Sequence, residues 1–225
     1  MRNDLGVTTD DPRRPSTTDP LAVIEAYLDR PTPGSEEATA VAMLDLVGPL
    51  FRGRSLAIEL GSGSHSVALG HARLFDGVRV VDASPSALAA IQERAALAGI
   101  GNFASYPIDA PWDEPTGAAD YVYALDLFRR IEDKVEAAST LQRISMALHP
   151  GGLAHLRFDT RPLDVAHRVR QRFAAPLRAP RDRDRTRPVR RLESWVRDRM
   201  RGADLEIIGE RGAGSDSHWV VARRR

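Results

Sequence analysis

The sequence predicts an α/β protein: a seven-stranded, mostly parallel sheet with helices on both faces and an antiparallel last strand. Three observations carry this. From Ser55 onward, short aliphatic runs alternate with segments of helical periodicity, the pattern of a parallel sheet covered on both sides. The first such run, Leu56-Ala-Ile-Glu-Leu60, enters the glycine turn Gly61-Ser-Gly63, and an acid, Asp82, closes the next run twenty-one residues after Gly61. The last two runs, Leu205–Ile208 and Ser217–Ala222, follow each other with only a loop containing Gly212 and Gly214 between them, which favours a hairpin.

The elements follow in order. Residues 1–18, rich in Asp, Arg, Thr and Pro without periodicity, read as a flexible tail. Asp19-Pro20 has the form of an N-cap and first helical position, followed by Leu21, Ile24 and Leu28 at helical spacing. Pro31-Thr-Pro-Gly34 breaks that helix. Ser35 can cap a second one with Val41, Leu44, Val47 and Phe51 on its apolar face, so residues 19–54 form an N-terminal helical cover. The main domain is then 55–225. Its first helix is expected from Ser66 to Leu74, its second strand from Val78 to Val81. Ser84-Pro85 starts a helix with Leu88, Ile91, Ala95 and Ala98 on one face, ended by Gly99. Strands are expected at Asn102–Tyr106 and Asp120–Leu125. A helix from Asp133 carries Ala137, Leu141, Ile144 and Leu148. His149-Pro-Gly-Gly152 stops it before strand Leu153–Phe158. Residues 160–190 break the rhythm as an insertion: a helix, Leu163–Phe173, then an arginine-rich stretch through 178–191 that is either a solvated loop of mixed charge or a lid over the substrate. A helix resumes at Arg191 with Leu192, Trp195 and Met200.

Composition narrows the function. In 225 residues, 42% apolar, there is no run of eighteen apolar residues, so no membrane span is expected, and the N-terminus lacks the apolar core of a signal peptide. Cysteine is absent, which excludes disulfides, thiolate catalysis and cysteine zinc sites and suits a cytoplasmic location. The net charge of +1 provides no global field for nucleic acid. Lys134 is the only lysine beside many arginines, a usage that a GC-rich genome explains, so arginine counts alone carry no function. The six histidines show no metal-ligand spacing.

The layout resembles the class I S-adenosylmethionine-dependent methyltransferases, which have a Rossmann-like fold, over residues 55–225. Glu59-Leu-Gly-Ser-Gly63 is similar to that family's acid-x-Gly-x-Gly turn, Val81-Asp82-Ala-Ser-Pro85 to its second-strand acid and helix cap, and Ile108-Asp109-Ala110 to its third-strand acid. Asp120-Tyr-Val-Tyr123 is similar to its fourth strand, and Leu148-His-Pro-Gly-Gly152 to the turn before strand five. The resemblance implies S-adenosylmethionine as cofactor, with S-adenosylhomocysteine as product. Its site would be built from Glu59, Gly61, Ser62, Gly63, His65, Asp82, Ala83, Asp109 and Ala110. Asp82 would take the ribose diol, Asp109 would lie beside the adenine, and Glu59 would act directly or by orienting the turn. His65 stands where the family often has a third glycine; it could bind the methionine carboxylate or crowd the pocket.

The chemistry of methyl transfer from a sulfonium asks chiefly for alignment and exclusion of water, with a base only where the nucleophile keeps its proton. Asp126 and His167 are the candidates for base or substrate anchor, and the acceptor is expected beyond strands four and five under the N-terminal helices and the 160–190 segment. Asp126 and Asp159 also resemble the metal acids of magnesium-dependent catechol-type enzymes. Thr160 stands where that subfamily has asparagine, so magnesium is kept only as an alternative and no metal ligand is assigned. The leading expectation is a small-molecule methyltransferase of specialised metabolism, with no nucleic-acid or membrane partner and scope for a homodimer. The alternatives are a cofactor-binding protein without methyl transfer (a cyclase, regulator or structural partner) and an RNA methyltransferase. A nicotinamide dehydrogenase is disfavoured because Ser66 occupies the third glycine of Gly-x-Gly-x-x-Gly.

Overall fold

The computed structural model describes residues 19–30, 35–63, 66–162 and 188–225. The expected tail, the Leu163–Phe173 helix, most of the arginine-rich stretch, His65 and His167 all lie outside these residues. Two helices open the described chain, α1 (Pro20–Asp29) and α2 (Ser35–Val47). Next come β1 (Leu56–Leu60), α3 (Ala68–His71), β2 (Gly77–Asp82), α4 (Pro85–Leu97), β3 (Phe103–Pro107) and β4 (Ala119–Ala124). The chain ends with α5 (Lys134–Ala147), β5 (Leu148–Phe158), α6 (Glu193–Gly202), β6 (Leu205–Arg211) and β7 (His218–Arg224).

The seven strands form one sheet in the order β3-β2-β1-β4-β5-β7-β6. β1 to β5 pair in parallel, and β7 runs antiparallel to both β5 and β6, so six strands point one way and β7 the other. This is the predicted sheet, with one refinement: the terminal hairpin folds back so that β7, not β6, pairs with β5. The chain leaves β1 towards β2 and β3 on one side and returns on the other at β4, so the carboxyl ends of β1 and β4 flank the point where the winding reverses.

Strand alternation divides the core in two. Ile58, Leu60, Val122, Ala124, Leu156 and Phe158 meet α5 and α6 on one face. Ala57, Tyr121, Tyr123 and Leu153 meet α1 to α4 on the other. Local signals largely work as read, although Ser35, expected as a cap, is the first residue of α2 itself. Asp19 caps α1 by accepting from Leu21 N–H at 3.1 Å; Ser84 caps α4 and Asp133 caps α5.

Five details differ. Leu148, expected on the apolar face of α5, is the first residue of β5, which runs through the 149–152 turn instead of starting after it. Val41 faces solvent, because α2 packs through Ala40, Met43, Leu44 and Val47, where the small Ala40 permits close approach. α3 is a single turn rather than a helix from 66 to 74. Ala98 is exposed beyond the end of α4. Leu192 is exposed ahead of α6, and Val196 takes the buried position beside Met200. No described helix is long and apolar enough to cross a membrane.

Candidate active site

The glycine turn after β1 is held from below by two acids. Gly61 and Gly63 have φ of 67° and 51°, conformations that favour glycine. A Cβ on Gly61 would also stand 2.8 Å from Leu127 Cβ, so close packing against the segment after β4 independently demands glycine there. Glu59 is buried; its carboxyl accepts from Ser66 Oγ at 2.5 Å and Val67 N–H at 3.2 Å. Burial pushes its pKa up to about 7, against those hydrogen bonds. Glu59 therefore shapes the return of the turn, the orienting role weighed from sequence.

Asp82 closes the turn from the β2 side. Its Oδ2 accepts from Gly63 N–H at 2.8 Å and Ser62 Oγ at 3.3 Å, and Oδ1 from Ser84 N–H at 2.8 Å. Three of the roughly four lone-pair positions of a carboxylate are thus taken by the protein itself. One position on Oδ1 stays open, so a diol bridging the carboxylate would replace only one of the two donors on Oδ2, Ser62 or Gly63. Beside Asp82, Ala83 and Asp109 are exposed and Ala110 is half-buried. Ile108 N–H donates to Asp82 O, so these residues lie together at the ends of β2 and β3.

Two cavities meet above the sheet. The first, about 220 Å³, sits where the winding reverses and is lined by Glu59, Gly61, Ser62, Leu125, Asp126, Leu28, Arg129 and Arg157. The second, about 750 Å³, opens between α1 and the β6–β7 loop. They share Leu28, Arg129 and Arg157. The larger cleft lies beyond the ends of β4 and β5 beneath α1, where an acceptor was expected.

No family model matches this chain, and no curated protein matches it by sequence. Solved structures do match. Magnesium protoporphyrin IX methyltransferase from Synechocystis, solved with bound S-adenosylhomocysteine, shares 17% identity over 93% of this chain and 89% of its own, with a TM-score of 0.60. A SAM-dependent methyltransferase from Aquifex aeolicus shares 13% identity over 92% of this chain and 100% of its own, with a TM-score of 0.61. The [4+2]-cyclase SpnF shares 17% identity over 83% and 81%, with a TM-score of 0.60. The fold is that of the class I S-adenosylmethionine-dependent methyltransferases.

Within this methyltransferase fold, the structure revises the acids after β4 and β5. Asp126 is not a free base: it accepts from Arg130 Nε at 2.7 Å and Arg129 Nη1 at 3.3 Å. Asp159 is fully buried. It accepts from Arg161 Nε at 3.0 Å and Nη2 at 2.5 Å, and its carbonyl accepts from Arg191 N–H at 2.8 Å, so it anchors the chain where it returns at 188–191. With both carboxylates on guanidiniums, and no group of three candidate ligands among the described residues, the magnesium alternative is not supported. His155 and His218 are buried; one ring nitrogen of each is hydrogen-bonded, to Tyr121 Oη and Glu210, and the other is buried without a partner.

Sequence reasoning missed three arginines. Arg143 of α5 donates to Ile108 O, Ala110 O and Asp113, and lies over Trp112 at 4.4 Å, so it pins the loop that carries Asp109 and Ala110. Trp112 itself is fully buried. Arg129 and Arg157 reach the junction of the two cavities. Their only sequence signal was position, Arg129 five residues after the end of β4 and Arg157 one residue before the end of β5, and the general abundance of arginine masked it.

Proposed function

We propose that this protein binds S-adenosylmethionine at the carboxyl ends of β1 and β2 and transfers its methyl group to a small-molecule acceptor in the cleft under α1. The observation that carries the reading is the crevice at the winding reversal, lined on one side by Glu59, Gly61 and Ser62 and on the other by Leu125 and Asp126. The residues present fit the cofactor. Asp82 and Asp109 stand at adjacent strand ends for a nucleoside, and the glycine turn brings the backbone of Gly61 and Ser62 to the crevice wall. When bound, the cofactor supplies an electrophilic methyl on a sulfonium. The chain's own part is alignment: the turn and Asp82 hold the donor, Arg143 fixes the 108–113 loop, and α1 covers the acceptor cleft from water. The cytoplasm suits a cysteine-free protein that uses this cofactor.

A second reading has a specific observation behind it. Asp126 is committed to two arginines, Glu59, the other carboxyl lining the small crevice, is engaged by Ser66 and Val67, and the SpnF neighbour is a cyclase. Binding of the cofactor without transfer to an acceptor would fit that arrangement. Titration calorimetry with S-adenosylmethionine and S-adenosylhomocysteine tests the shared first step. Absence of binding to the folded protein would defeat both readings. Release of S-adenosylhomocysteine only in the presence of an acceptor would decide for transfer.

A further inference from the structure

We propose that the molecule taken into the 750 Å³ cleft is an acid, its oxyanion held by Arg157 and Arg129 at the junction with the smaller crevice. This rests on the methyltransferase-fold reading and names the substrate class for that site. Both guanidiniums line both cavities. The Nε of each is buried without a hydrogen-bond partner, a costly state for a charged donor. Arg157 donates through Nη2 to Ser217 Oγ at 2.8 Å and lies 5.4 Å from the Trp219 ring centroid; no described carboxylate lies within ion-pair distance of it. Of the acids lining the cleft, Asp19 pairs with Arg211 at 2.8 Å, Asp216 with Arg161 at 3.8 Å, and Glu25 accepts from Trp219 Nε1 at 3.3 Å; Asp29 lines it at the far end of α1, and Asp126 of the smaller crevice pairs with Arg129 and Arg130. Burial, and next the charge of Arg129, depress the pKa of Arg157 against the fields of Asp126, Asp216 and Glu25, so Arg157 faces the cavity beside a second cation with no described carboxylate in contact with it. A planar oxyanion accepting from both guanidiniums would satisfy the open donors and remove the repulsion.

One other source could supply such an anion, the carboxylate of the cofactor's own amino-acid end. We assign the acceptor because Arg157 comes from β5, one strand beyond β4, and turns towards Ser217 and Trp219 of the β7 side rather than towards the glycine turn.

The test uses benzoate and benzamide, which share a ring suited to Leu21 and Leu28 and differ in charge. Their binding is measured by ligand-observed NMR on the full chain, with and without saturating S-adenosylhomocysteine, in wild type, Arg157→Gln and Arg129→Gln. The expected result is benzoate binding at least roughly tenfold tighter than benzamide in wild type, reduced to the benzamide level by Arg157→Gln, with any loss of S-adenosylhomocysteine affinity smaller than the loss for benzoate. Equal binding of the two probes, or benzoate selectivity that survives Arg157→Gln, would overturn the proposal. So would a tenfold loss of S-adenosylhomocysteine affinity with benzoate binding intact, which assigns the arginines to the cofactor. If Arg157→Gln does not fold, the wild-type comparison and Arg129→Gln decide by the same criteria. Benzoate selectivity in a protein that binds no S-adenosylhomocysteine would support the anion site and defeat the methyl-transfer reading alone.

Discussion

Glu59 makes stability depend on pH in a direction opposite to that of an ordinary paired carboxylate. Its pKa is about 7 in the folded chain against 4.5 for a free glutamate, because burial disfavours the charge more than Ser66 and Val67 favour it. Below about pH 4.5 both folded and unfolded chains hold the proton, and the group costs nothing. As pH rises the unfolded chain releases its proton first, so stability falls until the folded chain also ionises near 7, and stays low above that. The difference of about 2.5 pKa units corresponds to about 3 kcal/mol. Glu59→Gln keeps the shape and removes the titration. Urea unfolding of both proteins across about pH 4.5 to 8 should give a stability difference, variant minus wild type, that grows by about 3 kcal/mol over that range. The difference isolates the one group from every other that titrates. A difference that stays flat, or shrinks as pH rises, would refute the claim that Glu59 is buried without a compensating cation.

Three further outcomes follow from the same geometry. Asp82→Asn leaves one acceptor for the Gly63 and Ser84 amides, so it should lower stability and weaken S-adenosylhomocysteine binding by about 1–3 kcal/mol, read by calorimetry on the folded variant. His71, buried among Phe75, Tyr121 and Tyr123, is held neutral with its pKa down at about 3. An unfolded histidine gains its proton below about 6.5 while the folded one does not, so stability present above 6.5 is lost as pH falls towards 3. His71→Phe should therefore gain on wild type by about 3 kcal/mol between pH 6.5 and 4 in the same unfolding assay. Arg143→Ala removes three hydrogen bonds and the stack on Trp112. It should cost about 2–3 kcal/mol and raise the protease sensitivity of the 108–113 loop, with weaker S-adenosylhomocysteine binding.

What was legible in the sequence was whatever a short window encodes. Strand β1 was predicted to the residue, and the caps at Asp19, Ser84 and Asp133 were each visible as a polar residue ahead of a helical run. The errors arose where a neighbour in space decides. Val41 has the right spacing for α2's inner face, yet the helix turns to let Ala40 approach the core. Leu192 reads as the start of an apolar face until Val196 and Met200 take the buried side of α6.

The same division governs the site. Its backbone scaffold is local, so the glycine turn and the place of Asp82 at the end of β2 could be read in advance. The charges that decide what it accepts are not local. Asp126 looked like a base because its sequence neighbours give no hint that Arg129 and Arg130 fold back onto it. Arg157 looked like one arginine among many. Only the pairing of β5 with β7 sets it against Trp219 and Ser217, away from a carboxylate. A charged group left unsatisfied at the wall of a cavity is stable only because the rest of the fold holds it there. That arrangement makes Arg157, rather than the acid after β4, the side chain whose removal should change which molecules enter the cleft.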